Sequence, residues 1–264
     1  MRVAKAALMV AVAVLGLATG GHAQLQSGFY KGKCGANDVE AVVQSVVRAR
    51  FARDAPIVAH LLRMQFHECA VNVRAIAKLA SSVSSDRRQS RASDVVLPPP
   101  ENTAAQSVAF FGKLGLSPFD TVLLLGAHTV GVTHCSVIKN SRLYKYGGRV
   151  GATDPALDPY YAFVYKTWVC PNTAASDNNV VFLDDQWSTL RVDNNYYKLL
   201  QRHRGVLSAD QNLYGDGSTR WIVDLLANSD LFHSLFPQAL IKLGEVNVLT
   251  GAQGEIRKVC SKFN

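Results

Sequence analysis

The sequence predicts a mainly α fold, on three observations. Apolar residues recur at helical spacing along most of the chain, and helix-start signatures stand in front of those runs. No run of alternating strands, βαβ spacing or internal repeat interrupts them.

In chain order, Arg2 and Lys5 form a basic start, residues 6–17 an apolar stretch, and Gly21-His22-Ala23 a small-residue cleavage site before Gln24. That is the pattern of a secretory signal peptide, and the stretch is too short to span a bilayer. Residues 24–264 then form one domain large enough for a substantial core. With Arg2 and Lys5 removed, the formal charge falls from +8 to +6. A basic secreted protein, expected as a monomer, would be drawn to anionic polymers such as acidic polysaccharide. Nucleic acid is not expected as a partner, because the charge is scattered and no binding motif accompanies it. Nor is a membrane.

Asn37 or Asp38 starts a helix through Val39, Val42, Val43, Val46 and Val47. Asp54 caps a second, with Pro56 in its first turn and Ile57, Val58, Leu61 and Leu62 as its buried stripe. Residues 81–100 read as a surface loop ending in three prolines. Ser117-Pro118-Phe119-Asp120 opens the next helix with a cap, a proline first and an acid third. That helix delivers His128 near its end. Residues 135–185 form an irregular excursion rich in Gly, Asn, Asp and Pro. Asp193 or Asn194 then caps a helix through Tyr197, Leu199 and Leu200, and 216–227 and 230–243 supply two more. The five cysteines, Cys34, Cys69, Cys135, Cys170 and Cys260, are an odd number, so at least one stays without a partner in the chain.

Two histidines carry the chemistry. Arg63 and His67 are four residues apart on a predicted helix and so share one face. There, His67 could move a proton from one oxygen of a bound peroxide to the other. Arg63 would stabilise the negative charge that develops as the O–O bond opens. The plainer alternative is a surface arginine beside a core histidine. His128 closes an apolar run, between Gly126 and Gly131. Imidazole is a common axial ligand of haem iron, and glycines on both sides would let a flat cofactor approach. The plainer alternative is a histidine capping its own helix.

Together these segments resemble the plant secretory (class III) haem peroxidases. Arg63-x-x-Phe66-His67-Glu68-Cys69 is similar to the family's distal motif, and Gly126-Ala127-His128-Thr129 to its proximal motif. Gln24-Leu25-x-x-x-Phe29-Tyr30-x-x-x-Cys34 resembles the mature N-terminus. Gly205-Val206-Leu207-Ser208-Ala209-Asp210-Gln211 and Leu249-Thr250-Gly251-x-x-Gly254-Glu255-Ile256-Arg257 also match. The resemblance implies a haem-peroxidase-like helical domain that uses hydrogen peroxide to oxidise small phenolic donors. It implies haem b held by His128, with Asp210 accepting the ring N–H, and Arg63 and His67 as the distal catalytic pair. Pro98 falls where the family contacts aromatic donors. Thr129, Asp185, Ser188, Arg191 (through its carbonyl) and Asp193 fall at the proximal calcium positions, and Cys135 with Cys170 at a disulfide.

The departure lies between Asn72 and Val73. The family continues there into the rest of a distal calcium site and helices covering one side of the haem pocket. Here Val73 already resembles the far end of those helices, and Arg87-Arg88 the loop after them. A block of several tens of residues is absent from the distal half. Only Glu68 and the carbonyl of Val71 remain of the distal calcium site, so that site is expected to be lost. Cys34, Cys69 and Cys260 are left without their family partners. Two alternatives follow: a secreted non-catalytic protein that binds haem weakly or binds wall polysaccharide, or an active peroxidase whose gene model lacks an exon.

Overall fold

The computed structural model describes residues 28–71, 97–246 and 248. The signal segment, the 72/73 junction, most of the 81–100 loop, Cys260 and the 249–257 motif lie outside the described residues. The chain divides into two units. Of the first, residues 28–39 and 248 are described. Turns run over 28–36, the Lys33 ammonium sits 3.2 Å over the Phe29 ring, and Cys34 is exposed.

The second unit, Glu40–Val73 with Ser90–Asn247, is helical. Helices α1 (Val39–Phe51) and α2 (Ile57–Cys69) stand where the apolar periodicity places them. The expected stripe of α2 is only half-buried, with Leu62 and Phe66 packed against the core. Asp54 does not cap α2 with its side chain. The Arg50 guanidinium, one turn earlier, takes that carboxylate at 2.8 Å and forms a charge-assisted bond.

An unexpected helix, α3 (Ala104–Gly112), opens with a complete capping box between Thr103 and Gln106. Helix α4 (Pro118–Leu125) starts as its sequence requires. Ser117 Oγ accepts the Asp120 N–H, and the Asp120 carboxylate accepts the Ser117 N–H. It tightens into a 3-10 turn, Gly126–Thr129, that carries His128.

The excursion after His128 is more ordered than expected. Strands β1 (Val132–His134) and β2 (Val180–Phe182) pair antiparallel, Val132 opposite Phe182. Between them lie α5 (Cys135–Ile138), α6 (Pro159–Val164) and two π-helical turns, Lys139–Tyr144 and Tyr165–Val169. Cys135 and Cys170 form a disulfide inside a cluster with Ile138, Leu143, Leu157 and Val181. The bond spans 35 residues of chain. Replacing both cysteines by serine is therefore expected to cost about 2–5 kcal/mol, read as a lower melting temperature.

Helices α7 (Asn195–Gln201), α8 (Ser208–Gly215), α9 (Gly217–Ala227) and α10 (Leu231–Glu245) complete the unit. The main core joins Val122–Leu124 of α4, Tyr196, Tyr197 and Leu200 of α7, Ile222 and Leu226 of α9, and Phe232 and Phe236 of α10. Lys242 of α10 donates to Asp120 at 2.7 Å, a link across 122 residues to the start of α4. No helix among the described residues is long and apolar enough to cross a membrane.

Candidate active site

The core fixes α2 by Leu62 and Phe66, and this sets the neighbouring positions Arg63 and His67 on one face. Arg63 is exposed and His67 half-buried. Burial, and then the charge of Arg63, lower the His67 pKa below 6.5. The same guanidinium charge also acts on His128, so Arg63 lies within electrostatic reach of both imidazoles. A Cβ built on Gly131 would lie 3.4 Å from Ala59 Cβ, so α2 passes close to the chain just after His128.

His128 does not cap its own helix. Its Nδ1 faces Asp210 at 2.9 Å to Oδ1 and 3.1 Å to Oδ2. Asp210 is 1% exposed and sits in the first turn of α8, not in a loop. The His128 side chain keeps 32% of its surface exposed, and no hydrogen bond among the described residues reaches Nε2. Burial disfavours a charged ring, but the charge and hydrogen bond of Asp210 outweigh it and raise the His128 pKa, with Arg63 opposing.

The flanking glycines also have structural duties. A Cβ on Gly126 would meet the Tyr197 hydroxyl at 2.2 Å and a Phe232 ring carbon at 2.7 Å, so this glycine admits helix packing. Gly131 has φ +116°, which favours glycine on backbone grounds alone.

All five residues expected around the proximal cation come together, with two that sequence reasoning missed. The Thr129 hydroxyl donates to Asp184 at 2.8 Å, with the Arg191 carbonyl 3.3 Å away and the Asp193 N–H at 3.4 Å. The Asn195 amide donates to Asp184 and Asp185, both at 2.7 Å, and lies 3.3 Å from Ser188 Oγ. Burial raises the Asp184 pKa. For Asp185 the burial penalty is outweighed by hydrogen bonds from Ser188, Trp187 and Asn195, and its pKa falls. Among the described residues, no group of three or more His, Cys, Asp or Glu side chains is arranged to hold a metal. Glu68 and Val71 assemble no such group either, and Val71 packs its side chain into the core.

A third missed residue is Tyr196, whose hydroxyl donates to Asp210 Oδ1 at 2.9 Å. Pro98 lies in irregular chain, and two residues on the Pro100 carbonyl accepts the Ala209 N–H at 2.9 Å, beside Asp210.

A family model described as peroxidase matches residues 84–229, more than half of the chain. The chain is 33% identical to Peroxidase 57 of Arabidopsis thaliana, over 92% of its own length and 93% of that protein. It is 32% identical to Peroxidase 5 of Vitis vinifera, over 92% of each. It is 33% identical to Peroxidase 44 of Arabidopsis thaliana, over 94% of its length and 96% of that protein. The chain belongs to the plant class III peroxidase family. It is thus a haem-dependent peroxidase by family, with hydrogen peroxide and small-molecule donors as substrates. The family match takes in His128, Tyr196 and Asp210 and begins after Arg63 and His67. The alignment to Peroxidase 57 runs over 303 positions yet includes 92% of a 264-residue chain, so about 60 of its positions face no residue here.

Proposed function

We propose that this chain is a secreted, extracellular haem peroxidase of the plant cell wall that uses hydrogen peroxide to oxidise phenolic donors. One observation carries the reading: a half-open imidazole, His128, whose inner nitrogen is held by the buried Asp210 while its outer nitrogen takes no hydrogen bond among the described residues. Such an arrangement suits a metal ligand, because the carboxylate fixes the tautomer and leaves Nε2 as the donor atom. Haem b, when bound, supplies the redox chemistry. His128 would hold it. His67 accepts a proton from one peroxide oxygen and returns it to the other, and Arg63 stabilises the charge developing between. Pro98 borders the donor's approach, a role supported by its link through Pro100 to the start of α8.

Calcium would bind among Thr129, Asp185, Ser188, the Arg191 carbonyl and Asp193. Hydroxyls, carboxylates and a carbonyl suit a hard cation. Asp184 supports this, because its buried carboxylate has a raised pKa that a nearby cation would relieve. The ion would displace the Asn195 amide from the carboxylate oxygens it now occupies.

His67 must be neutral to accept a proton, and its pKa lies below 6.5. The acid limb of peroxide cleavage is therefore expected below pH 6.5, and Arg63→Leu should move it upward. Stopped-flow rates against pH check this, and a wild-type limb above 6.5 would remove His67 as the base.

The function itself is tested by adding haem to the purified chain. A Soret band with peroxide-dependent oxidation of a phenol supports the reading, and haem uptake without turnover refutes it. That second outcome has its own support, since about 60 positions of the relative face nothing here. It would make the chain a non-catalytic haem-binding protein. Sequencing the transcript across Asn72 and Val73 separates this from an error in the gene model.

A further inference from the structure

Tyr196 is 1% exposed, on the first turn of α7, and it shares an acceptor with the iron-ligand candidate. Its hydroxyl donates to Asp210 Oδ1 at 2.9 Å, the same oxygen that stands 2.9 Å from His128 Nδ1. Burial and the adjacent Asp210 charge raise the phenol's pKa well above 10, so it acts as a donor. The ring cannot swing away. It is packed edge-on against Tyr197, with centroids 4.9 Å apart, and Tyr197 is in turn tied to the Val122 carbonyl at 3.0 Å. The His128 ring lies edge-on to Tyr196 at 6.4 Å.

A second donor on one carboxylate oxygen stabilises its charge and weakens its hold on the first donor's proton. We propose that Tyr196 is a positioning residue that sets how strongly Asp210 draws the His128 Nδ1 proton, and through it how electron-rich Nε2 becomes. This rests on His128 as the iron ligand only for its effect at the metal. The hydrogen-bond competition at Asp210 stands without it.

Tyr196→Phe keeps the ring and removes the donor. In the haem-free full-length chain, the His128 Nδ1 proton resonance is expected to move downfield, because Asp210 then serves a single donor. In the ferrous haem-loaded chain, the iron–histidine stretching frequency should rise. Fluorotyrosine at position 196, a stronger donor, should shift both the other way, and it tests the idea even where the phenylalanine variant fails to fold. In an Asp210→Ala background, which removes the shared acceptor, the phenylalanine substitution should change neither. Unmoved resonances in folded variants overturn the inference. A shift in the haem-free chain that takes up no haem supports the competition at Asp210 and overturns His128 as iron ligand.

Discussion

His67→Ala is expected to slow peroxide cleavage by roughly a hundred- to ten-thousand-fold, the usual contribution of a positioned proton-transfer group. Haem uptake should not change, because His67 is on α2 while the proposed iron ligand stands on the 3-10 turn after α4. The spectrum of the loaded protein and the rate of its first reaction with peroxide are both read in one stopped-flow experiment. Arg63→Leu should lower the rate too, while leaving a base in place. Equal rates in wild type and His67→Ala would mean that the half-buried imidazole does not reach the peroxide. The two roles on α2 would then have to be abandoned.

Gly126→Ala is expected to lower stability and haem affinity together. The new methyl would have to share space with the Tyr197 hydroxyl and the Phe232 ring, both fully buried. Neither can yield cheaply, since Tyr197 is bonded to the Val122 carbonyl and the Phe232 ring packs at a tilt against Phe236, centroids 4.9 Å apart. Overpacking of this kind costs about 1–3 kcal/mol, or roughly 2–12 °C of melting temperature in a domain of this size. The displaced turn carries His128, so haem affinity should fall along with stability. Gly112→Ala is the control, for nothing lies within 4 Å of its added Cβ. Its melting temperature should stay level or rise.

Where the physics is local, the sequence was readable. The α4 start needed only Ser117, Pro118 and Asp120, all within one turn, and it folds as their chemistry demands. The α3 start is equally local, a capping box between Thr103 and Gln106. Asp54 misled because a cap and an i,i+4 ion pair compete for one carboxylate, and only the fold shows that Arg50 wins it. Asp184 and Asp185 are neighbours, so spacing could not say that the first turns inward to Thr129. Tyr196 had no local sign at all, because its partner is 14 residues away on another helix. The proximal pairing of His128 with Asp210 spans 82 residues and came only from resemblance.

The order of these parts along the chain has a genetic consequence. Tyr196, Asp210, the Thr129 cluster and the disulfide all follow residue 97, whereas Arg63 and His67 precede residue 72. The residues proposed to hold the cofactor and those proposed to work on peroxide thus lie in separate stretches. If those proposed roles hold, a lesion between the stretches would silence the second and spare the first, and an inactive allele of this kind would still draw on the cell's haem supply.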